Sequence, residues 1–396
     1  MMFPTDVVIL AGARTPMARY NGEFANISAI DLGALASKEA IKRSAVDAAE
    51  IEHVIFGNVQ QSSSDAHYGA RHVGLKAGLP VETPAVTVNR LCGSGMEAIS
   101  QAAQRILLGE AKIILAGGME NMTQVPHVIR GARSGFRLGE GKLEDALMAG
   151  LLDPISGCTM SDTAENLAVE YKISRKEADE YALRSQQAAE AAYKACRMSE
   201  EIVPVEVGKG KKAHLFSQDD HRRPETTMES LSALPAAFRK DGVVTAGNAS
   251  GIVDGGAAVV VTNEKTARER GAKPLGRIVS WATTGVEPRV MGIGPVPSSK
   301  KALQLAGLKL EQIDLIEVNE AFSPQYLAVE KALGLNRDKT NVNGGAIALG
   351  HPLGATGTRL ILTLLLELRR RNQRYGLATA CIGGGQGIAM IVESMS

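Results

Sequence analysis

Three residues of this 396-residue chain join reactive side chains to the kind of backbone that exposes them. Cys92 follows the apolar run Val86-Thr87-Val88 and precedes Gly93-Ser94-Gly95-Met96-Glu97-Ala98, which reads as a strand running into a glycine-punctuated helix start. Unpaired N–H groups at such a start point at the sulfur, and the positive helix end favours thiolate over thiol. His351 sits inside Asn343-Gly344-Gly345-Ala346-Ile347-Ala348-Leu349-Gly350-His351-Pro352-Leu353-Gly354-Ala355-Thr356-Gly357, where dense glycine implies tight turns and close approach by another group. Cys381 ends a third strand-like run and is followed by Gly383-Gly384-Gly385. One thiolate to attack a carbonyl, an imidazole to take its proton and a second thiol to move a proton elsewhere make a set suited to acyl transfer. Singly, either cysteine reads as a small buried hydrophobe and His351 as a partner for a loop carbonyl. Shared placement at glycine-rich strand ends argues for one site.

The elements that must hold these residues alternate between strand and helix. Strand-like sequence covers 6–10 and 53–56, a helix is expected over 29–43, and Cys92 leads into a helix to about 108 before an apolar strand at 113–116 closed by Gly117-Gly118. From 120 to 250 polar loops and charged helices take over. There Ser174-Arg175-Lys176-Glu177 is a capping box, and Ala178, Tyr181, Ala182, Ser185, Ala189, Ala192 and Cys196 fall on one helical face, which assigns Cys196 to the core. The α/β pattern then resumes with strands at 257–262 and 275–280 around a helix at 264–270.

An internal echo organises the whole. Ala40-Ile41 leading to Glu50-Ile51-Glu52-His53-Val54-Ile55-Phe56 returns as Ala302-Leu303 leading to Gln312-Ile313-Asp314-Leu315-Ile316-Glu317-Val318, and Thr87-Val88-Asn89 returns as Asn341-Val342-Asn343. Repeats in the same order imply one α/β unit duplicated, with two similar sheets and helices between and outside them. The expected divisions are 1–119 and 251–272 for the first half, 120–250 for an inserted loop domain and 273–396 for the second half.

Charge excludes some partners. Lys plus Arg (44) nearly balance Asp plus Glu (43), so no bulk field draws the chain to nucleic acid or acidic lipid. Local patches remain, notably Lys209-Lys211-Lys212 and His221-Arg222-Arg223. Four scattered cysteines form neither a disulfide framework nor a zinc spacing and read as reduced thiols. Strand-like sequence begins within residues 3–14, leaving no expected leader, and the apolar run 360–366 is too short for a bilayer.

At this point the chain is identified as resembling the thiolases, and most nearly the degradative 3-ketoacyl-CoA thiolases. The resemblance runs from Val8-Ile9-Leu10-Ala11-Gly12-Ala13-Arg14-Thr15-Pro16 to the last strand, through NRLCGSGMEAI at Cys92, TAGNASG ending at Gly251, VNEAF at Asn319, NGGAIALGHPLGATG at His351 and CIGGGQG at Cys381. It implies a five-layered αβαβα fold with an inserted loop domain and a homodimer or homotetramer. Cys92 matches the acyl-accepting nucleophile, His351 its base, and Cys381 the acid that protonates departing acetyl-CoA and then the base for incoming CoA. Asn319 matches the residue that fixes a water and so builds one oxyanion hole with His351, while the N–H groups of Cys92 and Gly383 match the other. Two holes make sense, because cleavage develops charge on an enolate and on a tetrahedral alkoxide. Arg223 and Thr226 match positions at the nucleotide end of coenzyme A, and Ser250 one near its pantetheine. CoA is thus a substrate, with no metal and no permanent cofactor implied. Thr159-Met160 stands where acetoacetyl-specific members often place a histidine before the methionine, which favours broader acyl chains. The implied compartment is the cytoplasm, or the mitochondrial matrix in a eukaryote. His53, His67, His72 and His127 match no motif and are read as structural.

Two other readings compete. Gly93-Ser94-Gly95-Met96-Glu97-Ala98 fits the dinucleotide fingerprint G-x-G-x-x-A, with Glu120 as the ribose carboxylate of an NAD-dependent dehydrogenase, but that leaves His351 and Cys381 without a purpose. A decarboxylating ketoacyl synthase of the same superfamily generally has His or Asn where this chain has Cys381.

Overall fold

The computed structural model describes residues 6–395, so Phe3, where the leaderless reading starts, lies outside the described residues. The first half comprises β1 (Val7–Arg14), α1 (Ala29–Ser44), β2 (His53–Gly57), α2 (Gly69–Ala77), β3 (Ala85–Val88), α3 (Ser94–Leu107) and β4 (Ile113–Glu120). Two long helices, α4 (Met160–Glu170) and α5 (Arg175–Lys194), stand among short hairpins and loops before β5 (Val253–Asn263) returns to the sheet. The second half follows as β6 (Gly276–Gly285), α6 (Pro295–Ala306), β7 (Leu315–Val318), α7 (Ser323–Leu333), α8 (Ala346–Leu349), α9 (Leu353–Arg371), β8 (Tyr375–Ile382) and β9 (Gln386–Ser394).

The duplication is visible in strand order. The sheet runs β7-β8-β9-β6-β1-β5-β4-β2-β3, and each half repeats antiparallel, antiparallel, then parallel pairing outward from its first strand. Only Val8↔Arg277 and Ile9↔Gly276 join the halves across β1 and β6, so two twisted sheets meet at a narrow seam.

Alternation along the strands builds the layers. In β1, Val7 and Ile9 face one core while Val8 and Leu10 face another. The first core is the middle of the molecule, where Met96, Ile99 and Ile106 of α3 and Leu360, Leu364 and Leu368 of α9 lie between residues of both sheets. The α9 helix is buried on all sides from Leu353 to Leu368, and its buried Arg359 is paired with Glu317. Outside, α1 and α2 cover Val54, Leu115 and Val260, while α6 and α7 cover Ile316, Leu377 and Ile391. Five layers result.

Three expectations need correction. The strand expected over 113–116 does not close at Gly117-Gly118 but runs on to Glu120, because α9 packs so tightly there that a Cβ at Gly118 would overlap the Gly354 carbonyl oxygen. Cys196 is exposed rather than core: α5 ends at Lys194, and Cys196 turns into the left-handed region at φ 56°. The fingerprint glycines serve helix packing instead of a pyrophosphate, since a Cβ on Gly95 would stand 2.7 Å from the Thr358 nitrogen of α9. No described helix is long and apolar enough to cross a membrane.

Candidate active site

Both cysteines stand at strand ends near Met160, Cys92 after β3 and Cys381 at the end of β8. Cys92 stands two residues before α3, in a turn strained enough that Leu91 adopts φ 45°. Its own N–H and that of Gly383 point at its sulfur. Cys92 opens into an apolar cavity of about 170 Å³ lined by Leu91, Leu151, Pro154, Met160 and Leu353 with Gly383. Cys381, at the end of β8 two residues before Gly383, is fully buried against Met160, Met291 and Ala321. The two sulfurs interact electrostatically.

The thiolate expected at Cys92 is not the resting form. Burial pushes its thiol up to about 11, the two N–H groups pull it back only in part, and the nearby Glu120 carboxylate adds to the rise. Burial, and then the charge of Cys92, push the Cys381 thiol higher still. Both thiols are protonated at neutral pH, so attack by Cys92 would need a base.

His351 supplies one in a defined tautomer. Its Nδ1 lies 2.6 Å from Thr356 Oγ1, and the Thr356 hydroxyl spends its hydrogen on the Pro352 carbonyl oxygen at 3.0 Å. Oγ1 therefore accepts from Nδ1–H, which leaves the lone pair on Nε2. The Asn319 amide Nδ2 donates to that nitrogen at 3.2 Å, and Asn319 Oδ1 is buried with no protein partner among the described residues. Burial and then the nearby Arg359 guanidinium lower His351 to about 3, so it is neutral and available. Two residues after His351, Leu353 lines the same cavity as Cys92.

Loops from elsewhere frame this centre. Ser250 donates its N–H to the Ala321 carbonyl oxygen, and the His351 N–H donates to Gly251, so TAGNASG lies between the Asn319 turn and His351. Gly251 abuts the His221 ring, and His221, Arg223, Thr226 and Gln186 line a second cavity of about 130 Å³. The Thr226 hydroxyl is already engaged by the Arg223 carbonyl oxygen, which makes it a turn-former in that wall.

Reasoning from sequence missed two supports. Thr356, five residues after His351, could have been found as the only hydroxyl in GHPLGAT. Glu120 accepts from Asn58 Nδ2 and from the N–H groups of Val59, Gln60 and Gly354, which ties β4 to the first turn of α9. Burial raises it to about 7. These bonds occupy the carboxylate that the dehydrogenase reading had assigned to a ribose.

Residues 7–265 match the thiolase N-terminal domain and residues 272–394 the thiolase C-terminal domain. Human mitochondrial 3-ketoacyl-CoA thiolase is 51% identical over 389 residues, 98% of each chain. Escherichia coli acetyl-CoA acetyltransferase is 51% identical over 393 residues, covering 99% of this chain and all of its own. The crystal structure of the human mitochondrial enzyme in complex with CoA superposes with a TM-score of 0.96 at 51% identity over 98% of both chains. With both halves matched and identity this high along the full length, the chain belongs to the thiolase family.

Proposed function

We propose that this acyltransferase cleaves 3-ketoacyl-CoA to acetyl-CoA and a shortened acyl-CoA, and runs the reverse condensation, through an acyl group on Cys92. The observation that carries the proposal is a buried imidazole whose lone pair sits on Nε2, held by Asn319 and Thr356 two residues before the Leu353 that lines the Cys92 cavity. His351 takes the Cys92 proton as the sulfur attacks the 3-keto carbon. The bond from that carbon to C2 breaks, and C2 of the acetyl-CoA enolate takes a proton from Cys381. The Cys381 thiolate then takes the proton of incoming CoA, whose sulfur attacks the Cys92 thioester, and His351 returns a proton to the departing Cys92 sulfur. Asn319 with His351 stabilises the enolate oxygen, and the Cys92 and Gly383 N–H groups the tetrahedral oxyanion. Side chains and substrates account for every proton.

The apolar lining beside Cys92, including Met160, favours acyl tails longer than acetyl. Thiolysis rates across 3-ketoacyl-CoA chains from four carbons to sixteen test this in one assay, and activity confined to acetoacetyl-CoA would return the protein to the short-chain class. Residues 120–250 act as the CoA-gripping unit, with Arg223 at the nucleotide, Thr226 shaping its turn and Ser250 beside the pantetheine. Arg223→Ala will raise the KM for CoA roughly tenfold while kcat stays within about twofold. A fall in kcat at unchanged KM would take Arg223 out of the binding set. Thr356→Val, which deletes the acceptor for Nδ1–H, will lower kcat by roughly a hundredfold, and Thr356→Ser will restore most of it. Equal activity in both variants would disprove the tautomer assignment.

Assembly follows the same reading. The last strand of the first sheet, β3, pairs on one side only, and its Val86 and Val88 are half-buried, an edge suited to a second copy in a homodimer or homotetramer. Light scattering of the purified protein decides this. All four cysteines are free, which suits a reducing compartment, cytoplasm or mitochondrial matrix.

A further inference from the structure

Directly after Asn319, a fully buried carboxylate takes no part in the steps above. Glu320 Oε1 accepts from Tyr181 Oη at 2.7 Å and Asn341 Nδ2 at 2.9 Å, and Oε2 accepts from Ser185 Oγ at 2.7 Å and the Ile347 N–H at 3.2 Å. Four donors fill the four acceptor positions of a carboxylate. They come from three places: Tyr181 and Ser185 from one face of α5, Asn341 from the turn that also bonds the Val318 N–H at the end of β7, and Ile347 from α8, four residues before His351. The backbone is moulded around the group, since a Cβ at Gly345 would overlap it.

We infer that Glu320 is a positioning residue for the Asn319–His351 pair, joining the strand end that carries the amide to the helix that leads into the imidazole. Two acceptor oxygens are required by geometry. Each oxygen faces one hydroxyl that can rotate and one N–H that cannot, so the NH₂ of a glutamine would confront a fixed donor in either orientation. Exchanging one oxygen for nitrogen therefore displaces α8 or the Asn341 turn, and with it the distance across which Asn319 and His351 share an enolate oxygen. The enolate step needs Asn319 and His351 held together whereas the tetrahedral step needs His351 alone, so the damage falls more heavily on the enolate step.

The inference rests on the thiolase reaction proposed above, and the test separates the two. Thiolysis of a 3-ketoacyl-CoA, which needs the enolate hole, is compared with exchange of labelled CoA into a saturated acyl-CoA, which does not. In Glu320→Gln the thiolysis kcat is expected to fall by roughly a hundredfold and exchange by no more than about tenfold, with the KM for CoA within about twofold. Should that variant fail to fold, Ser185→Ala combined with Tyr181→Phe removes two donors and keeps the carboxylate, and a fall of about fivefold in the thiolysis-to-exchange ratio is expected. Equal loss of both reactions, or an unchanged ratio, overturns the inference. A wild-type protein that exchanges CoA but never cleaves the carbon–carbon bond overturns instead the reaction it rests on.

Discussion

Cys92→Ala will form no covalent adduct with any acyl-CoA and will lose thiolysis by roughly five to six orders of magnitude, as befits a variant that keeps a binding site and lacks its nucleophile. Intact-protein mass spectrometry after mixing with acyl-CoA reads the first outcome directly; an adduct of undiminished yield would place the nucleophile elsewhere. The wild-type protein makes a companion prediction about pH. With His351 lowered to about 3 and Cys92 raised to about 11, thiol and imidazole are both neutral over the whole range between. Acylation by a saturated acyl-CoA should then show no bend near 6.5 or 8.5, where a free imidazole and a free thiol would titrate. A neutral pair spares the buried site the desolvation of two ions at rest. Charge separates only as the sulfur attacks, when the new oxyanion meets the N–H groups of Cys92 and Gly383 and its negative charge favours the imidazolium. A bend near 6.5 that persists in Glu120→Gln, and so does not come from the Glu120 carboxyl at about 7, would show that His351 is solvated and that its buried position is wrong.

What was readable in sequence, and what was not, divides by how local the cause is. The echo between the halves keeps its internal spacing, so the duplicated architecture was legible, as was the placing of Cys92 and Cys381 at strand ends beside glycines. The protonation state of Cys92 was not. A helix start predicts N–H groups near the sulfur, and they are there, but Met122, Leu147 and Leu353, which desolvate the thiol, come from distant parts of the chain. Glu320 shows the same limit, because its partners Tyr181 and Ser185 belong to a helix about 140 residues earlier. Periodicity placed Cys196 in line with Ala178 through Ala192 and could not show that the helix stops at Lys194. Glycine was over-read as a breaker at Gly117 and Gly118, where the missing side chains let two layers touch.

Cys381→Ala will still be acylated on Cys92 by a saturated acyl-CoA, yet will lose carbon–carbon cleavage by roughly three to four orders of magnitude. The asymmetry follows from its surroundings. Cys381 is fully buried, and loss of solvent holds it as a thiol. Once Cys92 carries an acyl group it can no longer ionise, so the thiolate left after protonating the enolate carbon has no anionic neighbour on Cys92. Burial makes the same thiolate a stronger base than a solvated one, which suits it to take the proton from incoming CoA. An acid that is hard to ionise still protonates an enolate, because the enolate carbon is far more basic than sulfur. Rapid-quench measurement of acyl-Cys92 alongside acetyl-CoA release distinguishes the two halves: acylation within about tenfold of wild type with cleavage nearly absent is the expected pattern. Cleavage of acetoacetyl-CoA at the wild-type rate would show that the proton reaches the enolate from another group, and the second sulfur would then be packing for Met160 and Met291.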